Sequence, residues 1–498
     1  MTTIPHWIDG APASGTDTAP VFNPATGQEQ ARVTLGGAAD VDAAVTAAAK
    51  AFESWSESSL SRRTQVMFAF RHLLVEHEEE LARIISAEHG KTVDDARGEI
   101  VRGREVVEFT CGLGDALKGS FSDQVSRGID VHDFRQPLGV VAGITPFNFP
   151  AMVPLWMHPM AIATGNTFVL KPSERDPSAA NFVADLYQKA GLPDGVFNVV
   201  HGGKPAVDAI LAHPGIEAVS FVGSTPIAKY VHRTATAHGK RVQALGGAKN
   251  HAVVLPDADL EHAAGHITAG AYGSAGERCM AVSVAVAVGD AADGLVEILE
   301  RKAREVKVGP GDRPGTEMGP LVTKAAQERV ENAVGTAAAQ GATVVVDGRG
   351  LKLDDAAYAD GFFTGPSLLD HVTTEMEAYQ EELFGPVLAI VRVDSLDEAI
   401  DLVNANPYGN GTALFTASGE AARRFQRRIK VGMIGINVPV PVPMAYYSFG
   451  GWKDSLIGDS PIHGPEGLRF YTRPKVVTTR WPRPAQNTTA GFDFPTSN

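Results

Sequence analysis

The sequence is poor in cysteine, has no long apolar run and carries no excess of basic charge. Two cysteines among 498 residues exclude a disulfide framework. No run of 18 apolar residues occurs, so no membrane span is predicted. The 44 Lys and Arg residues stand against 58 Asp and Glu, a net charge of −14. Such a balance argues against binding to nucleic-acid phosphates or to anionic lipid.

The remaining composition is that of an ordinary globular protein. Hydrophobic residues make up 44% of the chain and charged residues 20%, which excludes disorder, coiled coil and collagen. The length predicts two to four domains at roughly 150 residues each. The first ten residues, MTTIPHWIDG, lack the basic and apolar regions of a signal peptide. We therefore expect a reducing, cytoplasmic environment.

Helical and strand-like segments alternate along most of the chain. Residues 39–55, 61–88 and 93–117 have helical spacing of apolar residues. Two sets of short apolar runs, interleaved with helices, then predict two open parallel α/β sheets. The first set lies at 140–144, 167–172, 196–202, 218–224 and 251–256, the second at 282–288, 342–348, 388–393, 412–417 and 433–437. The alternating segment 470–481 predicts a final strand that docks elsewhere.

Two residues stand out as candidates for chemistry. Cys279 lies in YGSAGERCMAVS, where small residues precede a strand; a buried core thiol is the alternative. Asn148 lies in ITPFNFP at the end of a predicted strand, where its carboxamide could donate to a developing oxyanion. A turn-forming asparagine is the alternative there. Cys111, in a helical apolar stretch, is assigned to packing.

Other local signals are weaker. The segment SFVGST precedes a predicted helix whose N-terminus could bind phosphate, but the GxGxxG dinucleotide fingerprint is absent. His262 and His266 are four residues apart and could in principle bind a metal. With no HExxH motif and no third ligand nearby, we assign them to the helix surface or to packing, and we predict no metal.

The order of six motifs is specific. TPFNFP, LKPSE, FVGST, LGGAKN, GERC and EELFGPV occur as in the NAD(P)-dependent aldehyde dehydrogenase superfamily, and the resemblance spans nearly the whole chain. It implies that Cys279 is the nucleophile and that Asn148, with the Cys279 backbone N–H, holds the oxyanion. The residues that it implies for the cofactor are Thr145, Phe147, Lys171, Glu174, Arg175, Ser224, Gly246 and Glu382. A carboxylate at Glu174 beside the ribose would favour NAD over NADP.

One departure from the superfamily pattern concerns the acyl acceptor. Members that release free acids usually carry Glu directly before LGG, whereas this chain has Ala244 in VQALGGAKN. Alanine cannot activate water, so a thiol is the expected acceptor. The run 139–178, together with GAKNH, ERCMA and SFGGWKDSLIGD, is similar to the CoA-acylating methylmalonate-semialdehyde dehydrogenase branch. The resemblance implies oxidation of methylmalonate or malonate semialdehyde, decarboxylation, and transfer to CoA as propionyl-CoA or acetyl-CoA.

The substrate of that branch carries a carboxylate, which needs a cation. The resemblance maps Arg102 and Arg278 to this role, and guanidinium groups suit a carboxylate. For Arg102 the alternative is a solvated helix face shared with Arg97 and Arg104.

The resemblance also implies the domain organisation. It gives an α/β fold with a Rossmann-like cofactor domain (1–118 and 139–255), a catalytic domain (256–452), and a small β oligomerisation element (119–138 with part of 453–498). A homotetramer built as a dimer of dimers is expected, with an aldehyde and CoA as small-molecule partners. Three alternatives stay open: a hydrolytic enzyme with another base, a non-enzymatic structural protein, and a redox sensor that uses Cys279, although no resolving cysteine is nearby in sequence.

Overall fold

The computed structural model describes residues 2–481, in which helices and strands alternate from residue 140 onward. The α-helices are α1 Ala38–Trp55, α2 Leu60–Glu76, α3 Glu78–His89, α4 Val93–Cys111, α5 Leu113–Ala116, α6 Met152–Ala163, α7 Ser178–Lys189, α8 Lys204–Ala212, α9 Thr225–Ala237, α10 Leu260–Tyr272, α11 Ala291–Glu305, α12 Lys324–Ala339, α13 Glu377–Gln380, α14 Leu396–Ala405, α15 Gly419–Arg428 and α16 Gly464–Phe470. Among these described helices, none is both long and apolar enough to cross a membrane.

The strands are short, as expected for an α/β protein. They are β1 Thr2–Ile4, β2 His6–Ile8, β3 Ala11–Ala13, β4 Asp17–Asn23, β5 Gln28–Leu35, β6 Phe121–Ser126, β7 Ile129–Pro137, β8 Val140–Ile144, β9 Thr167–Lys171, β10 Phe197–Val199, β11 Ile216–Val222, β12 Arg241–Leu245, β13 Asn250–Val254, β14 Val282–Val288, β15 Thr343–Val346, β16 Ser367–Asp370, β17 Val387–Val393, β18 Tyr408–Gly409, β19 Gly411–Phe415, β20 Met433–Ile436, β21 Trp452–Lys453, β22 Leu456–Ile457 and β23 Thr472–Arg480.

The first large sheet has the order β22-β12-β11-β8-β9-β10-β2-β3. Its five central strands, β12 to β10, are parallel, and antiparallel strands close both edges. Apolar residues of α1, α8 and α9 pack on one face, and those of α2, α3, α4, α6 and α7 pack on the other. Because both faces are covered, every residue of β8 and β9 is buried, which explains their continuous apolar runs.

The second large sheet has the order β15-β16-β17-β14-β13-β19-β20 and is parallel except at β15. Strand β13 corrects the sequence-based grouping, which placed the run 251–256 with the first set of strands. The glycines Gly246 and Gly247 carry the chain from β12 to this other sheet. An apolar run shows that a strand is buried but not which sheet buries it.

A separate sheet joins two distant parts of the chain. Strand β7 pairs antiparallel with β6 on one side and with β23 on the other, from Thr472 opposite Pro137 to Arg480 opposite Ile129. The terminal strand therefore docks on the 119–138 region, as the alternating pattern predicts. The fold class, two parallel α/β units with a small β element, is confirmed.

Two helix predictions were too long. The predicted helix 61–88 is broken at His77, which ends α2 and precedes α3. Three glutamates, Glu78 to Glu80, fill the first turn of α3, where negative charge is favoured at a helix N-terminus. The predicted helix 93–117 ends at Cys111, followed by the short helix α5.

Candidate active site

Cys279 lies in the connection between α10 and β14. The turn before it holds Ser274 and Ala275 at φ of 53° and 51°, the left-handed region. At Gly276, a Cβ would lie 2.2 Å from the Gly385 carbonyl oxygen, so only glycine permits this close approach. The carbonyl of Cys279 accepts hydrogen bonds from the side chains of Asn250 at 2.9 Å and Asn410 at 3.0 Å. The loop is thus fixed from both sides.

The resting thiol of Cys279 is neutral. Burial raises its pKa to about 12, the nearby Glu382 carboxylate acts in the same direction, and the Arg278 guanidinium only partly opposes them. A thiolate therefore has to be generated during the reaction. Cys111, at the end of α4, lines a surface hollow with Phe68, and burial raises its pKa to about 11.

The Asn148 loop follows β8, and Asn148 is almost fully buried. Its backbone carbonyl accepts a hydrogen bond from the Lys91 ammonium at 2.7 Å. Lys91 also donates to Glu99 at 2.6 Å, and both side chains are fully buried. The second oxygen of Glu99 accepts from the backbone N–H groups of Ala151 and Met152 at 2.9 and 3.1 Å, at the start of α6. Sequence reasoning missed this pair, since no motif marks it.

Cys279 lines a cavity of about 400 Å³ between α4 and the loop 440–449. The cavity is lined by Asp95, Gly98, Glu99, Arg102, Phe149, Met152, Trp156, Arg278, Cys279, Met280, Val440, Val442 and Phe449. Both arginines predicted for the substrate carboxylate therefore border the same space as Cys279. Its walls combine aromatic surface with a few charged groups, as ligand sites commonly do.

The two arginines are held differently. The Arg102 guanidinium pairs with Glu105 at 2.7 Å and donates to the carbonyls of Val442 and Pro443 at 3.1 and 3.0 Å. It is thus not part of the solvated face, where Arg97 pairs with Glu79. Arg278 pairs with Asp95 at 2.6 Å and packs over Gly273, where a Cβ would lie 2.6 Å from the guanidinium.

Five residues predicted for the cofactor lie at the carboxyl ends of β8 and β9. The Thr145 N–H donates to the Lys171 carbonyl at 3.1 Å, and the Lys171 ammonium donates to Glu174 at 3.2 Å. Burial favours a higher pKa for Glu174, but Lys171 outweighs it and the net pKa is lowered, so the carboxylate is charged. The Arg175 guanidinium stacks 4.9 Å from the centre of the Phe147 ring. In parallel sheets this edge is where ligands bind.

The remaining cofactor candidates meet around Thr225. Ser224 directly precedes α9 and does not cap that helix with its side chain. At Gly246, a Cβ would lie 2.7 Å from the Thr225 hydroxyl, so glycine keeps the backbone close. Glu382 accepts a hydrogen bond from the Ala248 N–H at 3.0 Å, and burial raises its pKa to about 7. The fold thus brings residues of three distant motifs together.

Comparison with known proteins identifies the family. The sequence profile of the Aldehyde dehydrogenase family matches residues 11–477. The chain belongs to this family. This aldehyde dehydrogenase is 54% identical over 497 residues to malonate-semialdehyde dehydrogenase of Pseudomonas aeruginosa, covering 99% of this chain and 100% of that protein. The resemblance drawn from the six ordered motifs is confirmed.

Solved structures give the same assignment. The crystal structure of methylmalonate-semialdehyde dehydrogenase from Oceanimonas doudoroffii has a TM-score of 0.96 and 55% identity, covering 97% of this chain and 99% of that one. A Sinorhizobium meliloti protein solved in complex with NAD has a TM-score of 0.96, 50% identity and the same coverage. Betaine aldehyde dehydrogenase from Staphylococcus aureus, solved with NAD+, has a TM-score of 0.91 at 30% identity, over 98% and 97% of the two chains.

Ala244, the residue at which this aldehyde dehydrogenase departs from the superfamily pattern, lies inside the first large sheet. Ala244 on β12 is fully buried in the apolar cluster beneath α1, α8 and α9. Cys279 packs against the cluster on the opposite face. A glutamate at 244 would therefore place a carboxylate in an apolar core, which is costly.

A second carboxylate near the nucleophile also escaped sequence reasoning. Glu277, two residues before Cys279, is fully buried, and burial raises its pKa to about 8. One of its oxygens lies 4.0 Å from Nε2 of buried His89, too far for a hydrogen bond. Glu277 is thus largely protonated at neutral pH and not a ready base.

The histidine pair predicted to lie on a helix surface or in packing is on α10. The rings of His262 and His266 are 4.3 Å apart, and both residues are exposed. Within residues 2–481, no group of three or more His, Cys, Asp or Glu side chains is arranged to hold a metal ion.

Proposed function

We propose that this aldehyde dehydrogenase oxidises malonate or methylmalonate semialdehyde with NAD and transfers the resulting acyl group to CoA. The observation that carries the proposal is the cavity of about 400 Å³, in which Cys279 lies beside Arg102 and Arg278. A carbonyl next to the thiol and a carboxylate next to a guanidinium fit this arrangement. The names of the relatives at 54 and 55% identity support the same substrate class.

The first step forms a covalent adduct. The Cys279 thiol loses its proton to solvent water, its sulfur attacks the aldehyde carbon, and the side-chain amide of Asn148 with the Cys279 N–H holds the oxyanion. Lys91 and Glu99 keep the Asn148 loop in place. NAD, when bound, accepts the hydride as the adduct becomes a thioester.

The residues present fit that cofactor. Lys171 and charged Glu174 would hold the adenosine ribose, Ser224 at the start of α9 the pyrophosphate, and Glu382 the nicotinamide ribose. We infer a preference for NAD, because the Glu174 carboxylate would repel the extra phosphate of NADP. Comparison of kcat/KM for the two cofactors tests this.

The thioester is then converted to the product in two steps, decarboxylation and transfer of the acyl group to CoA. Its β-carboxylate departs as CO2, since the electron pair left on carbon is delocalised into the thioester carbonyl and then takes a proton. The CoA thiol gives up its proton as its sulfur attacks the carbonyl carbon, the bond to the Cys279 sulfur breaks, and the Cys279 sulfur takes up a proton in exchange. CoA rather than water is the acceptor because neither Ala244 nor the largely protonated Glu277 offers a base for water.

We also propose the quaternary organisation implied by the family. The cofactor domain would comprise 1–118 and 139 to the turn at Gly246 and Gly247. The catalytic domain would run from β13 to residue 452, because β13 lies in the second large sheet. The element 119–138 with the returning tail would join subunits into a dimer of dimers. The three-stranded sheet β6-β7-β23 supports this, because it stands apart from both large sheets.

NADH formation from methylmalonate semialdehyde, with and without CoA, tests the function. Without CoA we expect a burst near one NADH per Cys279 followed by slow turnover, and with CoA a much faster steady rate. Cys279→Ala should abolish both phases, and Cys111→Ala should keep them. Equal steady rates with and without CoA would favour the hydrolytic alternative.

A further inference from the structure

A second cavity, larger than the one at Cys279, adjoins the active site. It has a volume of about 690 Å³ and lies between the start of α4, the length of α10 and the end of α11. Both cavities are lined by Asp95 and Arg278, which form the ion pair of 2.6 Å. This pair therefore stands between the larger cavity and the one that holds Cys279.

The cavity exists because α10 presents small residues to it. Gly265, Ala269 and Gly273 lie four residues apart, on one face of the helix and its last turn, and all three line the cavity. At Gly265 a Cβ would lie 3.7 Å from the Lys302 ammonium, in ordinary van der Waals contact, so a methyl group fits there but a larger side chain would project into the cavity. A large side chain on this face would fill the cavity.

Three residues that line this cavity have polar side-chain atoms without a hydrogen-bond partner in the described part of the chain. Three atoms are buried without a partner among the described residues: Oγ of Ser274, Oγ1 of Thr268 and Oδ2 of Asp95. All three residues line this cavity, and Ser274 is only 5% exposed. Buried polar groups of this kind are normally satisfied by water or by a ligand. A ligand with several N–H, O–H and C=O groups matches them.

The charges at the rim leave the interior neutral overall. Arg278 neutralises Asp95, Lys302 pairs with Glu261 at 2.8 Å, and Lys307 lies with Glu305 and Glu317. The cavity therefore suits an uncharged polar chain. Its volume is within the roughly 300–1,000 Å³ of sites for ligands of drug size.

We propose that this cavity binds the pantetheine arm of CoA, a proposal that rests on the proposed function. The arm has two amides and a hydroxyl for the unpartnered oxygens. Its thiol end would point to the Asp95–Arg278 pair, which borders both cavities. Movement of the Arg278 side chain opens the way to the Cys279 thioester. The acceptor then reaches the acyl group through a different cavity from the aldehyde.

Acyl acceptors of different length test the proposal. CoA and pantetheine both carry the arm, whereas 2-mercaptoethanol offers only the thiol. We expect Ala269→Phe, which fills the cavity, to lower the ratio of kcat/KM for CoA to kcat/KM for 2-mercaptoethanol at least tenfold, and to do the same for pantetheine. His266→Phe, at an exposed position of α10 that does not line the cavity, should leave both ratios unchanged.

An unchanged CoA ratio in Ala269→Phe would overturn the proposal. If Ala269→Phe does not fold, Thr268→Val combined with Ser274→Ala removes two of the unpartnered hydroxyls, and the same comparison of ratios applies. The proposed function is tested separately. A wild-type enzyme whose steady rate does not depend on CoA would contradict the proposed function. A CoA-dependent enzyme whose kcat/KM ratios are unchanged in the variants would contradict only the location of the CoA arm.

Discussion

At the scale of single residues, Cys279, the proposed nucleophile, is partly buried and protonated. The raised pKa of Cys279 means that its thiolate fraction at neutral pH is small and grows about tenfold per pH unit. We predict that alkylation of the apo enzyme by iodoacetamide accelerates log-linearly with a slope near one from about pH 6 to about pH 9. The experiment uses the Cys111→Ala variant, in which Cys279 is the one cysteine left to react with iodoacetamide. A rate that levels off near neutral pH would show a preformed thiolate instead.

The pair Lys91–Glu99 is predicted to act through Asn148. Glu99→Gln should slow the NADH burst roughly tenfold or more, because a misplaced oxyanion donor loses its effect in the transition state. The KM for NAD should change little. Arg104→Met is the control: Arg104 lies on the same helix as Glu99, and the change breaks its ion pair with Glu78 of α3.

A double-mutant cycle separates positioning from general destabilisation. In an Asn148→Ala background, Glu99→Gln should cause almost no further loss of burst rate, since the group that it positions is gone. Additive losses in the double variant would mean that the pair serves the fold alone. Loss of one partner of a buried pair also costs about 3–5 kcal/mol of stability, so Tm is measured alongside.

These residues show what a sequence can reveal of the site. Cys279 and Asn148 belong to motifs whose order identifies the family. Lys91 bonds to Asn148 across 57 positions of the chain, and nothing local marks that contact. Glu277 lies inside the GERC motif, but only its burial in the fold raises its pKa. Chemistry-bearing motifs are local, whereas the groups that position and tune them are set by tertiary packing.

At the scale of elements, α4 is the helix that serves the site. Asp95, Glu99 and Arg102 occur at positions i, i+4 and i+7, so they share one face of the helix. Asp95 holds Arg278, Glu99 holds the Asn148 loop, and Arg102 borders the Cys279 cavity. The opposite face carries solvent-exposed pairs such as that of Arg97 with Glu79.

This face leads to a prediction about substrate choice. Arg278→Leu and Arg102→Leu should each lower kcat/KM for methylmalonate semialdehyde by roughly ten- to a hundredfold, the value of one charge-assisted pair. The loss with propanal should be much smaller, and lysine should restore only part because it lacks the planar fork. Arg97→Leu is the control on the exposed face. Equal losses for both aldehydes would assign the arginines to the fold.

The strands show what the pattern of apolar residues can and cannot predict about the sheets. Buried runs located β8, β9, β11 and β14, because covered parallel strands are continuously apolar. The same reasoning misplaced β13, since its sheet is decided by the turn at Gly246 and Gly247. It also missed β16, where only Leu368 and Leu369 are apolar and polar residues stand on either side of them.

At the scale of the whole molecule, the sheet β6-β7-β23 is the least covered part. Phe121 and Val476 are each 66% exposed, and Val125 and Trp481 are also exposed on this sheet or at its end. The Arg241 guanidinium donates to the carbonyls of Phe470 and Thr472, which ties the returning chain to the first large sheet. Such an apolar surface on a rigid support is typical of a protein interface.

We therefore predict that this sheet holds the oligomer together. Phe121→Asp and Val476→Asp should each shift the proposed tetramer toward dimers or monomers, because a carboxylate buried at an interface without a partner is costly. Sedimentation velocity over a range of concentrations measures the shift. Val75→Asp, an exposed apolar position on α2, is the control and should leave the distribution unchanged. Tetramers that persist in both sheet variants would place the interface elsewhere on the molecule.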